Sequence, residues 1–471
     1  MIRKPDAQPW VPDIEGLKGP IYLVIAEAIG RAVATGELQA GERLPTHRAL
    51  AGTLGVDLTT VTRAYAEARR RGLLQATVGR GTFVRLEPEP RGGTAMEEGP
   101  VDLGMNLPPQ PADLALPDLL QRGLAHLLAG SEAADLLTYR TGAGSGSERA
   151  AGAIWLRPTL GDVAAERILV SPGAQPALLA VLGAVAGAGE AILTDALTYP
   201  GMRGAAAQLG VRLLGLPCDA EGMLPEAVEA ACRGPERPKA LYCVPTMHNP
   251  MAVTMPLARR QAIAEAARRH GLPVIEDDAY GLLPSAPLPA IASLAPEITF
   301  HVATLSKVLS PALRVAFLVA PDARWAGRLA TALRANVLMA SPLTTGLIAG
   351  WVRDGTAAAV RAAIRGECVA RQRIARELLP GTPFAAHPEG LHLWLPMPGR
   401  WGRLHFAAHL RRRGLAVVPS DAFAVDPGAA PVDAVRVSLG AAQSRQALRR
   451  ALREVADALG ADAAAPFSEV V

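Results

Sequence analysis

The stretch TLSKVLSPALRVAFLVAP, Thr304 to Pro321, sets Lys307 just after the hydroxyl residues Thr304 and Ser306, with Arg314 seven positions further on. A lysine amine in such surroundings can condense with a carbonyl compound, while hydroxyls and a guanidinium suit the oxygens of a phosphate. More groups with chemical capacity precede it. Gly173, Ala174 and Gln175 follow the apolar run RILVSP and open a helical segment whose free N–H groups favour an anion. Tyr199 lies in DALTYPG, Asn249 follows KALYCVPTMH, and Asp277 and Tyr280 share IEDDAY.

Pyridoxal 5′-phosphate needs all of these at once. It carries an aldehyde for Lys307, and a ring nitrogen whose positive charge calls for the carboxylate of Asp277. Its phosphate suits the Gly173–Gln175 helix start, Arg314, and the hydroxyl of Thr304 or Ser306. Asn249 and Tyr280 are expected to hydrogen-bond the phenolic oxygen of the ring, and Tyr199 to stack on its face. No metal is expected. Cys218, Cys232, Cys243 and Cys368 form no CxxC pair and no ligand spacing, which suits unpaired thiols in a reducing cytoplasm.

Seven short apolar runs must position these residues: RILVSPG, EAILTD, VRLLGL, KALYCVPT, PVIEDD, TFHVATLS and RVAFLVAP. They alternate with helical segments, the pattern of a mostly parallel sheet covered on both faces, where ligands gather outside the carboxyl ends of the strands. The most apolar stretch, PALLAVLGAVAGAGEAIL, is interrupted by glycines and reads as a buried helix feeding a strand rather than a membrane span. The beginning of the chain lacks the apolar core of a signal peptide, and a cytoplasmic location is expected.

The first 85 residues follow a different pattern. Apolar positions from Ile21 to Ala32 recur at helical spacing, THRALAGTLG fits a second helix capped by Thr46, and Asp57 opens a third with the stripe Val61, Ala64, Tyr65 and Ala68. GLLQATVGRGTFV then alternates as a hairpin. Three helices and a hairpin make a winged helix-turn-helix. Thr59, Thr60 and Arg63 are expected where base edges are read, and Arg43, Arg48 and Arg80 where phosphates pass. The charge balance agrees: residues 1–85 hold 12 Lys+Arg against 8 Asp+Glu, while the remainder holds 36 of each, so the whole net charge of +4 sits in this segment. LEPEPRGGTAMEEGP, residues 86–100, has the composition of a flexible tether.

GELQAGERLPTHRALAGTLGV, TTVTRAYAEARRRGLL and VGRGTFV resemble the DNA-binding domain of GntR-type bacterial regulators, with Leu58 at a position where that family often carries a basic residue. The order from Gly173 to Arg314 resembles fold type I aminotransferases over about residues 101–465, including a smaller C-terminal α+β subdomain at about 346–465. That resemblance implies that Arg436, in VRVSLGA, binds the α-carboxylate of an amino acid, and that Tyr139 reaches the phosphate of a neighbouring subunit. This chain departs from the aminotransferase pattern at Met251, Ala252, Ala312 and Ala316, and in TYRTGAGSGSERAAGA.

The two parts together resemble the MocR family of transcription regulators, with residues 1–85 as the winged helix and 101–471 as the effector and dimerisation domain. This implies a homodimer with exchanged domains that binds operator DNA, and that senses pyridoxal phosphate or an amino compound through an internal or external aldimine at Lys307. A working aminotransferase with an accessory DNA-binding domain is the alternative, and a plain DNA-binding dimer with an inert scaffold a third.

Overall fold

The computed structural model describes residues 10–12, 19–35, 37–39, 41–70, 73–77, 81–84, 101–111, 113–130, 133–140, 143–426, 428 and 432–460. The expected tether at 86–100, Arg80 and residues 461–465 fall outside these. The chain divides into two compact units, Met1–Glu98 and Gly99–Val471.

In the first unit, α1 (Ile21–Ala34), α2 (His47–Leu54) and α3 (Leu58–Arg70) precede a hairpin of β1 (Leu74–Thr77) and β2 (Gly81–Val84). The expected α1 stripe is buried at Ile25, Ile29 and Ala32, and packs on Val61, Ala64, Tyr65 and Ala68 of α3. Thr46 Oγ1 accepts from the Ala49 amide at 3.3 Å and so begins α2, which ends at Gly55 in the left-handed region. The hairpin is antiparallel, with Leu74 opposite Val84 and Thr77 opposite Gly81.

The second unit begins with β3 (Val101–Asp102). Its strands continue as β4 (Ile168–Ser171), β5 (Ala191–Asp195), β6 (Arg212–Leu216), a small hairpin of β7 (Cys218–Asp219) and β8 (Gly222–Met223), β9 (Ala240–Cys243), β10 (Val274–Asp277), β11 (Thr299–Thr304) and β12 (Ala316–Val319). The seven apolar runs seen in the sequence form one sheet, ordered β4-β12-β11-β10-β9-β5-β6. Every residue of β4, β5, β9, β10, β11 and β12 is buried, as expected of strands covered on both faces. The covering helices are α4 (Leu116–Ala129), α5 (Gly146–Leu160), α6 (Ala174–Val185), α7 (Pro200–Leu209), α8 (Pro225–Arg233), α9 (Leu257–Arg269), α10 (Ile291–Leu294), α11 (Ala323–Val337) and α12 (Pro342–Arg353).

One strand runs against the rest. β12 is antiparallel to both β11 and β4, so its first residue, Ala316, lies opposite Thr304 and Ser171, the carboxyl ends of those strands. Arg314, two residues before β12, is thereby delivered to the edge where the parallel strands finish.

After α13 (Thr356–Leu378) a smaller core forms around β13 (His392–Pro396), α14 (Arg403–Arg412), β14 (Leu415–Ala416), β15 (Val418–Pro419), β16 (Ala434–Ser438) and α15 (Arg445–Gly460). Its sheet is ordered β13-β16-β15, and β14 pairs in parallel with β3 from the start of the unit. Among the described residues no helix is long and apolar enough to cross a membrane, and no cluster of side chains has the composition of a metal site.

Candidate functional site

Asp277 is the last residue of β10 and is buried. Its Oδ2 accepts a hydrogen bond of 2.8 Å from the Tyr242 hydroxyl on β9, while Oδ1 is buried without a partner. Burial pushes the carboxyl up to about 6, against the opposing pull of the Tyr242 hydrogen bond. A buried carboxylate oxygen lacking a donor is costly on its own, and a cationic ring N–H is the kind of group that satisfies it.

A group of anion-binding donors lies on the same sheet edge. Gly173 precedes α6 with φ of 103°, and a Cβ there would stand 2.7 Å from Arg314 Nη2, so only glycine lets the guanidinium close on the helix start. The Thr304 hydroxyl donates to Ser306 Oγ at 3.1 Å and accepts from the Ser306 amide at 3.3 Å, which leaves the Ser306 hydroxyl proton for a ligand. Gln175 donates through Nε2 to the Gly201 carbonyl at 3.2 Å, tying α6 to the start of α7. Tyr199, at the N-terminal boundary of α7, is half-buried, and its phenol is raised by burial and then by the charge of Asp277.

Lys307 follows β11 and is half-buried. Nζ donates to the backbone carbonyl of Asn106. Burial, then the charge of Arg436, lowers the amine to about 8, with Asp277 acting in the opposite sense. A lysine so placed is part neutral near neutral pH, which is the state that attacks an aldehyde.

Arg436, on β16, is buried and lies over the Phe423 ring at 5.0 Å. Its Nη1 donates to Asn249 Oδ1 at 2.7 Å and its Nη2 to the Gly104 carbonyl, while Nε is buried without a partner. With Oδ1 of Asn249 so engaged, its Nδ2 is the group able to donate to a phenolic oxygen. The Tyr280 hydroxyl accepts from Asn106 Nδ2 at 2.9 Å, and the same amide faces His392 Nδ1 at 3.2 Å. His392 Nε2 donates to the His248 carbonyl at 3.2 Å. Burial and then Arg436 push His392 down to about 3, so it is a neutral imidazole.

Of the residues singled out in the sequence, Gly173, Arg314, Thr304, Ser306, Lys307, Asp277, Tyr280, Asn249, Tyr199 and Arg436 thus stand at the carboxyl edge of the large sheet or on β16 facing it. Tyr139 is 81% exposed. Sequence reasoning missed Asn106, the Gly104 carbonyl, His392 and Tyr242.

In the first unit, Asp57 Oδ1 accepts from both the amide and the hydroxyl of Thr59, at 2.8 and 2.5 Å, and these bonds hold the exposed carboxyl below its usual range. Leu58, Thr59, Thr62 and Arg63 are exposed on α3 and Thr60 is half-buried; Arg63 lies over the Tyr22 ring at 4.2 Å. Thr62, which the sequence reading passed over, shares the outward side with Leu58 and Thr59. Arg43 and Arg48 are exposed, Arg43 beside Gly81 of the wing.

Residues 98–455 match the family described as Aminotransferase class I and II. The chain belongs to that family. Residues 21–84 match the family of bacterial regulatory proteins of gntR type. A GntR-type DNA-binding domain joined to an aminotransferase class I and II domain is the MocR-type layout. Similar proteins include the HTH-type transcriptional regulator YdeF of Bacillus subtilis, 29% identical over 446 residues that cover 94% of this chain and 95% of that one. The vitamin B6 salvage pathway transcriptional repressor PtsJ of Salmonella typhimurium is 29% identical over 88% of this chain and 93% of its own. Among solved structures, the α-aminoadipate aminotransferase LysN of Thermus thermophilus, in complex with N-(5′-phosphopyridoxyl)-L-leucine, is 25% identical with a TM-score of 0.69, covering 84% of this chain and 98% of that one. The family implies pyridoxal phosphate as cofactor, and the orphaned Asp277 oxygen with the Gly173–Arg314 cradle fits it.

Proposed function

We infer that this protein is a pyridoxal phosphate-dependent, DNA-binding transcription regulator that senses the cofactor or an amino compound at Lys307. The observation that carries the reading is the unpartnered buried Oδ1 of Asp277, on the same sheet edge as a lysine whose amine is lowered to about 8, in a chain that also holds a GntR-type domain.

When bound, pyridoxal phosphate supplies an aldehyde that captures amines and a ring that withdraws electrons. The residues of the chain do the rest. Asp277 Oδ1 would accept from the ring nitrogen and keep a proton there. Arg314, the Ser306 hydroxyl and the start of α6 would receive the phosphate, and the Tyr199 ring would pack against the cofactor. Arg436 exchanges Asn249 and Gly104 for the carboxylate of an incoming amino acid, with two parallel N–H donors. The exposure of Tyr139 suits a side chain that serves a second copy, so a homodimer is part of the proposal. Ligand occupancy changes DNA binding only to the extent that the ligand prefers one presentation of the DNA-binding domains.

The test is direct. Purified protein mixed with pyridoxal phosphate gains a visible absorption band that Lys307→Ala lacks, and binds DNA from upstream of its own coding region. The intact Lys307, Asp277 and Arg436 set also favours a second reading, a working aminotransferase, which predicts sustained keto-acid formation from an amino acid. A protein that stays colourless in excess cofactor would overturn both.

A further inference from the structure

The backbone from Val101 to Leu107 runs through the site as a strap. At one end it is strand β3: the Val101 amide donates to the Gly414 carbonyl at 2.7 Å, the Leu103 amide to Ala416 at 2.9 Å, and the Leu103 carbonyl accepts from Ser438 at 2.9 Å. Leu103 is buried in the smaller core. Asp102 Oδ1 then accepts from the Gly104 amide at 2.7 Å and turns the chain off the strand. Beyond that turn, the carbonyls of Gly104 and Asn106 accept from Arg436 Nη2 and Lys307 Nζ. The seat is close-fitting. A Cβ on Gly440 would lie 1.8 Å from the Leu107 carbonyl oxygen, so the strap lies where only a glycine admits it.

Two carbonyls, two residues apart, therefore hold the two cations that a ligand must take. A neutral carbonyl is a weaker partner for a guanidinium than a carboxylate, which binds it with two charge-assisted bonds. Condensation of neutral Nζ with an aldehyde forms a carbon–nitrogen double bond and sends both amine hydrogens out with the carbonyl oxygen as water. Asn106 then has no donor at that position. In the sequence, Val101 directly follows the 86–100 tether to the DNA-binding domain.

We propose that the 101–107 strap is a competitive occupant of the ligand site, docked by Lys307 and Arg436 in the free protein and released when a ligand takes either cation. It is the element through which occupancy is reported toward the tether. The proposal rests on the reading of Lys307 and Arg436 given above, and adds the regulation of that site.

Hydrogen–deuterium exchange of the full-length protein tests it, followed in the peptide containing residues 101–107, with the α13 peptide as the fold control. Pyridoxal phosphate is expected to speed exchange of the 101–107 amides roughly tenfold, the effect of losing a hydrogen bond to a charged group. Lys307→Ala, or Lys307→Met should alanine not fold, is expected to exchange faster without cofactor and to gain nothing from adding it. Arg436→Met is expected to speed exchange in cofactor-free protein as well. Unchanged exchange on cofactor addition, with the visible band present, overturns the strap and leaves the cofactor reading standing. Absence of the band removes the cofactor reading, and the two variants then decide the strap alone: exchange as slow as in wild type overturns it.

Discussion

Tyr242 donates its hydroxyl to Asp277 Oδ2 at 2.8 Å, with both side chains buried on neighbouring parallel strands. This bond is the main force drawing the Asp277 carboxyl down against burial. It keeps the carboxylate charged and fixes Oδ2, so that Oδ1 is the free oxygen. Tyr242→Phe removes the donor and keeps the ring, so Asp277 becomes harder to ionise and a poorer partner for a ring N–H. Roughly tenfold weaker retention of pyridoxal phosphate is expected, from the typical worth of a hydrogen bond to a charged group. Dialysis against buffer with absorbance readout measures it, and retention equal to wild type would remove Tyr242 from the site.

Asp277 itself carries a stability signature in cofactor-free protein. Its folded pKa, about 6, is raised from the ordinary aspartate value of 3.8, so between these values the native state binds the proton more tightly than the unfolded chain. This group's contribution therefore falls as pH rises from about 4 to 6, and the penalty is complete above 6. The shift corresponds to at most about 3 kcal/mol at 1.36 kcal/mol per pKa unit. Asp277→Asn removes that penalty while abolishing cofactor retention. Urea unfolding of the cofactor-free proteins should show the variant gaining stability over wild type at pH 7 and little at pH 4. An equal gain at both pH values would contradict the buried-charge account.

Lys307 gives a pH dependence of the opposite kind. The neutral amine is the reactive form, so the rate of cofactor capture should rise through about pH 8 in stopped-flow absorbance. After burial, Arg436 is the next cause of the lowered amine. Arg436→Met should therefore move the midpoint upward and slow capture at neutral pH, even though Arg436 is assigned to the carboxylate of the ligand. An unmoved midpoint would mean that burial alone sets the amine.

These residues differ in how far the sequence exposes them. The seven strands were legible because strands buried on both faces require near-continuous apolar runs, and side chains placed at or near the ends of such runs announce themselves by type: Asp277, Lys307, Arg314. Tyr242 was not, because a tyrosine inside ALYC reads as core, and its hydroxyl matters only once β9 is known to lie beside β10. Gly104 and Asn106 meet Arg436 and Lys307 through carbonyl oxygens, which every residue possesses, so no residue type could have marked those two contacts. His392 was hidden in an apolar strand of the smaller core, and its neutrality follows from burial and Arg436, neither of which is local in sequence.

The winged helix supplies the last test, in which two substitutions should move one observable in opposite directions. Arg48 is exposed on α2, the helix capped by Thr46, and is assigned to a phosphate. Leu58 is 41% exposed in the first turn of α3, next to the Asp57–Thr59 cap that fixes that turn. Each phosphate contact contributes close to one unit to the slope of log affinity against log salt concentration. Arg48→Ala should therefore flatten the slope by about one unit and weaken binding uniformly across DNA sequences, since phosphate contacts carry no base information. Leu58→Arg adds a cation where the chain has an apolar side chain, and should steepen the slope by about one unit. Fluorescence anisotropy on the upstream DNA across a salt series measures both. Slopes that stay at the wild-type value in both variants would place the DNA on another face of this unit.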